Sequence, residues 1–151
     1  IHLYSAQYRV DPFLAVAVIK NESNFKPEAQ SKAGAMGLMQ ITPETGAWIA
    51  KCTDFPNFRD SMLLKPELNI KFGCWYLAEL ESEFHGNEVL MLAAYNAGRG
   101  TVKEWMKDYG WDYDFNNPAQ IPFSDTRAYV QKVLNDRDNY QNLYKKTLKN
   151  Y

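Results

Sequence analysis

The chain has 151 residues and a mass of 17.5 kDa, the usual size of one domain, and can bury roughly two thirds of its unfolded surface. Its 17 Lys and Arg against 18 Asp and Glu leave a net charge of −1, which excludes the strongly basic field that general nucleic-acid binding requires. At 46% apolar and 23% charged the composition is too apolar for intrinsic disorder, and 15% aromatic residues supply faces that fill cores or stack on sugar rings.

No stretch approaches the roughly 20 consecutive apolar residues of a membrane-spanning helix, and Phe13 to Ile19 comes nearest. The sequence opens at Ile1 inside an amphipathic stretch, without an initiator Met or a basic-then-apolar leader, so a signal, anchor or further domain is expected outside it. Turn signals then divide it into helices. Asp11-Pro12 is a helix start, a capping side chain followed by proline in the first turn, and Phe13 to Ile19 make that helix apolar on nearly every side. It should run out near Asn21-Glu22-Ser23, because Asn24, Pro27 and the small polar residues up to Gly37 do not continue it. Another helix starts about Thr42-Pro43. From Pro66 to about Phe84 the apolar residues Leu68, Phe72, Trp75, Tyr76, Leu80 and Phe84 step by three or four, giving a long amphipathic helix. Glu88 to Asn96 reads as a short buried helix and Thr101 to about Lys107 as another. A last helix, Asp125 to about Leu148, carries Tyr129, Val130, Val133, Leu134, Tyr140, Leu143 and Tyr144 on one face. Asp108 to Phe123 is irregular. The pattern is nearly all α, with no repeat and no linker, and fits one domain over residues 1–151.

Cys52 and Cys74 either form one disulfide in an oxidising compartment or remain two buried thiols. With two Cys and two His, and His2 far from His85 in sequence, no zinc site is expected. Glu22 is the most informative residue. At the C-terminal end of a nearly all-apolar helix, desolvation and the negative helix pole both oppose its ionisation, and a Glu that keeps its proton near neutral pH is what a general acid requires. The same placement also suits a solvated Glu on a frayed helix end, or a cap for a neighbouring helix. Ser31 to Gln40, rich in small residues and glycines, either lines a cleft or simply connects two helices, and lacks the Gly-Lys-Ser/Thr of a phosphate cradle. Tyr95 and Asn96, just ahead of Gly98, reach into a site or cap and pack. Trp111, Tyr113 and Phe115 form a sugar-stacking wall or a lid over the core.

Taken in order, Glu22-Ser23-Asn24-Phe25, the stretch from Ser31 to Gln40, Asn69-Ile70-x-x-Gly73-x-x-Tyr76-Leu77 and Ala94-Tyr95-Asn96-Ala97-Gly98 resemble the soluble-type lytic transglycosylases. Val10-Asp11-Pro12 at one end, and Ile121-Pro122-Phe123 with Thr126-Arg127-x-Tyr129-Val130 at the other, extend the likeness over almost the whole chain. The resemblance implies an all-α, lysozyme-like helical domain with a substrate groove, acting on peptidoglycan glycan strands. It implies cleavage of the β-1,4 bond between N-acetylmuramic acid and N-acetylglucosamine without addition of water, leaving 1,6-anhydromuramic ends. Carried over by motif, the catalytic acid falls on Glu22 and substrate-binding roles on Ser31, Gln40, Tyr95 and Asn96. Two positions depart from the family pattern: Thr42 stands where Met is frequent, and Asp125 where Glu is common.

Most glycosidases use two carboxyl groups, whereas substrate-assisted enzymes dispense with the second. The resemblance places this chain with the latter, Glu22 acting first as acid and then as base. A hydrolytic muramidase or chitinase on the same fold is the nearest alternative, with Glu28, Glu44, Asp54 or Asp125 as second carboxylate; a non-catalytic glycan-binding module is the other. That mechanism calls for no metal and no cofactor, a monomer is the default state, the lack of a basic stripe speaks against a nucleic-acid partner, and a peptidoglycan substrate implies work outside the cytoplasm.

Overall fold

In the computed structural model residues 1–149 are described, and they form seven α-helices with two short 3-10 turns. These are α1 (His2–Tyr8), α2 (Pro12–Ser23), α3 (Pro43–Cys52), α4 (Pro66–Glu83), α5 (Glu88–Ala97), α6 (Arg99–Tyr109) and α7 (Ser124–Lys149). The 3-10 turns are Asp60–Leu64 and Pro118–Gln120. Among the described residues there is no strand, only two isolated antiparallel bridges, Gln30 with Met36 and Met36 with Ile41. The expected all-α class holds, and no helix of the described residues is long and apolar enough to cross a membrane.

The chain divides into two compact units, Ile1–Tyr76 and the residues from Leu77 on, with the boundary inside α4. In the first unit the helix starts are the ones the sequence encodes. Asp11 accepts a hydrogen bond from the Phe13 N–H at 2.9 Å and Pro12 occupies the first turn of α2, while Thr42 caps α3 by accepting from the Thr45 N–H at 3.2 Å. α2 buries Leu14, Ala15, Ala17, Val18 and Ile19, as its all-round apolarity requires. A second cluster joins Ile41, Ile49, Ala50, Leu63 and Phe72, packed against Trp48, Phe55, Phe58 and Trp75 among others. Phe55 and Trp48 meet Phe72 and Trp75 edge to face, with ring centroids 5.6 and 5.4 Å apart.

In the second unit α5 packs against α6 and α7 and is buried from Val89 to Ala94. Asn87 starts α5 by accepting from the Leu90 N–H, and its amide donates to the carbonyls of Tyr113 and Phe115, both at 2.7 Å, pinning the irregular segment. Within that segment Trp111 stacks on Phe115 at 3.8 Å and meets Trp105 edge on, while Tyr113 stacks on His85 at 3.7 Å. Trp111 and Phe115 are therefore spent on one another, whereas Tyr113, stacked on His85, stays 42% exposed. Arg137 reaches across to Glu88 and also pairs with Asp138; burial alone would lower its proton affinity, but the two carboxylates raise it.

One expectation needs correction. α6 begins at Arg99, not Thr101, because Gly98 with φ 101° both closes α5 and opens α6, so no linker separates them. The apolar face of α7 does not stay covered along its length: Tyr129, Val130 and Val133 are buried, but Leu143 and Tyr144 are 61% and 53% exposed. At the cysteines neither expected state holds as stated, since there is no disulfide and only one of the two thiols is buried. Both thiols are free, Cys52 exposed and Cys74 buried, and burial pushes the Cys74 thiol up to about 11. A thiolate-specific dye should therefore titrate one thiol per native chain and two in denaturant, whereas a disulfide would give none in either.

Candidate active site

Glu22 is the penultimate residue of α2, half-buried, and the chain leaves the helix immediately after Ser23. Its neighbours are turned back into the helix: the Asn21 amide donates to the Ala17 carbonyl at 2.9 Å and the Ser23 hydroxyl to the Ile19 carbonyl at 3.1 Å. Beyond Ser23, Asn24 and Phe25 both adopt left-handed backbone, with φ 51° and 65°. Asn tolerates that conformation, but a bulky Phe there is a local strain, and it leaves the Phe25 ring 47% exposed three residues past Glu22. The four other carboxylates that a hydrolytic pair would draw on, Glu28, Glu44, Asp54 and Asp125, are all exposed.

The loop from Ala29 to Ile41 carries Ser31 and Gln40 and is closed on itself. Ser31 makes a tight turn with Ala35: its N–H donates to the Ala35 carbonyl at 2.9 Å, and its hydroxyl oxygen accepts from the Ala35 N–H at 3.0 Å. Gln40, with φ 52°, points its amide into the loop, donating to the carbonyls of Ala29 at 3.0 Å and Gly37 at 2.9 Å. Both side chains thus have a structural task in addition to the substrate contact the resemblance implies.

What holds this loop was not assigned by sequence reasoning. Asn69, fully buried in α4, accepts from the Met39 N–H at 2.7 Å and donates to the carbonyls of Met36 at 2.9 Å and Leu63 at 2.7 Å. Gly37, with φ 82°, leaves room for that amide; a Cβ there would collide with Asn69 Nδ2 and the Leu63 carbonyl. One helical turn on, Gly73 receives the Met39 side chain, whose sulfur occupies the place a Cβ would take. The sequence signal was the pairing of Gly37-x-Met39 with Asn69-x-x-x-Gly73.

Tyr95 and Asn96 belong to the second unit, at the end of α5. Tyr95 is half-buried, and Asn96 accepts a hydrogen bond from the buried Thr126 hydroxyl at 2.7 Å. Asn96, Phe123, Asp125 and Thr126 rim an open hollow of about 560 Å³. Arg127 fixes the approach to it by donating to the Ile121 carbonyl from Nε at 3.0 Å and Nη2 at 2.9 Å, which explains the Ile-Pro-Phe and Thr-Arg motifs together. Among the described residues no three His, Cys, Asp or Glu side chains gather as a metal site would need.

By its helices and the loop they support, the chain is an all-α domain of the lysozyme-like class. The transglycosylase SLT domain model matches residues 1–117, and the chain belongs to that family. It is 40% identical over 122 residues to the soluble lytic murein transglycosylase of Salmonella typhimurium, covering 80% of this chain and 19% of the relative. It is similar to the crystal structure of the 70 kDa soluble lytic transglycosylase of Escherichia coli, with TM-score 0.85 and 33% identity over 93% of this chain and 23% of that one. An inactive Glu-to-Gln mutant of lytic transglycosylase Slt from Pseudomonas aeruginosa is similar too, with TM-score 0.82 and 34% identity over 93% of this chain and 23% of that one. The chain spans about a fifth of the length of the soluble curated relatives it matches.

Proposed function

We propose that residues 1–151 act as one lytic transglycosylase domain that cleaves the MurNAc-β-1,4-GlcNAc bond of peptidoglycan without water, with Glu22 as acid and then base. The observation that carries this reading is Glu22 itself, a half-buried acidic residue at the end of α2, which buries Leu14, Ala15, Ala17, Val18 and Ile19. A carboxyl partly out of water at the negative pole of a helix is disposed to keep its proton, which is what protonating a glycosidic oxygen needs. Family membership supports the substrate class, and the inactive Glu-to-Gln relative supports dependence on a single glutamate.

In this mechanism the Glu22 proton passes to the glycosidic oxygen as the bond from that oxygen to the muramic anomeric carbon breaks. The muramic N-acetyl oxygen supports the positive charge left on that carbon. The Glu22 carboxylate then takes the proton of the muramic 6-hydroxyl, whose oxygen closes on the anomeric carbon, so Glu22 ends protonated and no water is consumed. Ser31, Gln40, Tyr95 and Asn96 bind and orient the sugars. The exposed positions of Glu28, Glu44, Asp54 and Asp125 support a mechanism that does without a second carboxylate. No step calls for a metal or cofactor, the domain works as a monomer, and peptidoglycan as substrate places it outside the cytoplasm.

Mass spectrometry of the fragments released from purified peptidoglycan tests the reading. Products lighter by one water than reducing-end species are expected. Reducing ends would assign the hydrolytic reaction instead, and intact glycan strands would leave only a binding module.

A further inference from the structure

We propose that Asn69 is a positioning residue for glycan binding, acting through the backbone of the Met36–Gln40 stretch rather than by touching the sugar. This rests on the proposed reading that the loop bearing Ser31 and Gln40 contacts the glycan strand. The side chain is fully buried, and its partners are backbone groups: one N–H, of Met39, and two carbonyls, of Met36 and Leu63. An amide is the one side chain of this size that offers an acceptor on one atom and two donors on the other. The demand of the site matches that inventory atom for atom.

The clamp also decides which way the loop faces. With the Met36 carbonyl and the Met39 N–H both taken by Asn69, and Met39 seated over Gly73, the Gly37–Gln40 turn is tied to α4 at both ends. Gln40 then closes the turn from within, through the Ala29 and Gly37 carbonyls, and the Gly37 N–H meets the Ala29 carbonyl at 2.8 Å. The result is a rigid base under the Ser31–Ala35 turn, which is exposed from Ser31 to Gly34. Without Asn69 the Met39 N–H and the Leu63 carbonyl lose a buried partner, the Met36 carbonyl keeps the Ile41 N–H at 3.0 Å, and a loop that opens to let water replace the amide no longer holds Ser31 and Gln40 in fixed relation. Binding a strand then requires re-ordering the loop, a penalty on affinity rather than on the proton transfer at Glu22.

Steady-state cleavage of soluble, uncross-linked glycan strands by the wild type, Asn69→Ala and Asn69→Asp tests this, with hydrogen exchange of the Met36–Ile41 amides alongside. Asn69→Ala is expected to raise KM about tenfold, with kcat changed less than about threefold, and to lose amide protection in that stretch. KM is independent of how much of the preparation is folded, so lowered stability alone does not produce this split. Asn69→Asp supplies a second signature and covers failure of the Ala variant to fold. The introduced carboxyl, when protonated, keeps one donor for the two carbonyls; when ionised, it turns a charge toward both, so the KM of Asn69→Asp relative to wild type should rise with pH. The wild-type ratio removes the titration of Glu22 from that comparison. Active variants whose KM stays at the wild-type value across pH would overturn the proposal. Wild-type protein that neither cleaves nor binds strands would instead overturn the functional reading, and this inference with it.

Discussion

Replacing Glu22 by Gln should lower the rate of glycan-strand cleavage by roughly three orders of magnitude while leaving strand affinity and melting temperature near their wild-type values. The amide has the shape of the carboxyl but carries no proton it can surrender, and it cannot later accept one from the 6-hydroxyl. Both halves of the proposed cycle are lost in one substitution. The fold should tolerate the change, because Glu22 is only half-buried and Gln matches a protonated carboxyl in both shape and charge at the C-terminal end of α2. Glu22→Asp makes a useful companion. It keeps the acid but withdraws it by one methylene, a misplacement of about 1 Å that should lower turnover by about a hundredfold. Turnover by Glu22→Gln at the wild-type rate would remove Glu22 from the chemistry.

The largest effect on stability is expected from Gly37→Ala. The methyl group would sit at φ 82°, a conformation that strains an L-residue by about 1–2 kcal/mol, and would meet Asn69 Nδ2 and the Leu63 carbonyl. Relieving the collision means giving up at least one buried hydrogen bond, a further 1–3 kcal/mol or so. We expect about 3 kcal/mol in total, close to a 10 °C fall in Tm for a chain of this length. Gly34→Ala is the control. Gly34 has φ 89°, but nothing lies within 4 Å of its added Cβ, so only the backbone strain remains. Equal losses at the two positions, read by thermal melting, would show that the Asn69 clamp contributes nothing.

Much of the helical framework was legible because its signals are local. Asp11-Pro12 and Thr42-Pro43 name their helix starts by capping chemistry, and the three-or-four spacing from Leu68 to Phe84 names α4. The error arose where one residue served two elements, and a periodic pattern was silent on burial. Gly98 read as a stop, which it is for α5, yet its positive-φ backbone also restarts the chain as α6. Leu143 and Tyr144 continue the spacing of Tyr129 and Val133, but periodicity reports only that a face is apolar, not that anything covers it. The candidate site divides in the same way. Glu22 stood out because an acid ending an apolar helix is locally conspicuous. Asn69 did not, since its partners are backbone atoms of Met36, Met39 and Leu63, and backbone atoms leave no trace in a side-chain pattern.

The arrangement of the tryptophans gives the molecule a built-in optical label for each half. All four are paired edge to face: Trp48 with Trp75 at 5.4 Å in the first unit, and Trp105 with Trp111 at 6.2 Å in the second. Rings that close couple their excited states, so each pair contributes its own circular-dichroism band and its own emission. A chain carrying Trp48→Phe and Trp75→Phe reports the second half alone, and one carrying Trp105→Phe and Trp111→Phe the first. Their melting curves, overlaid, time the loss of order in each half, and adding glycan strands to either chain shows which half's spectrum the ligand perturbs.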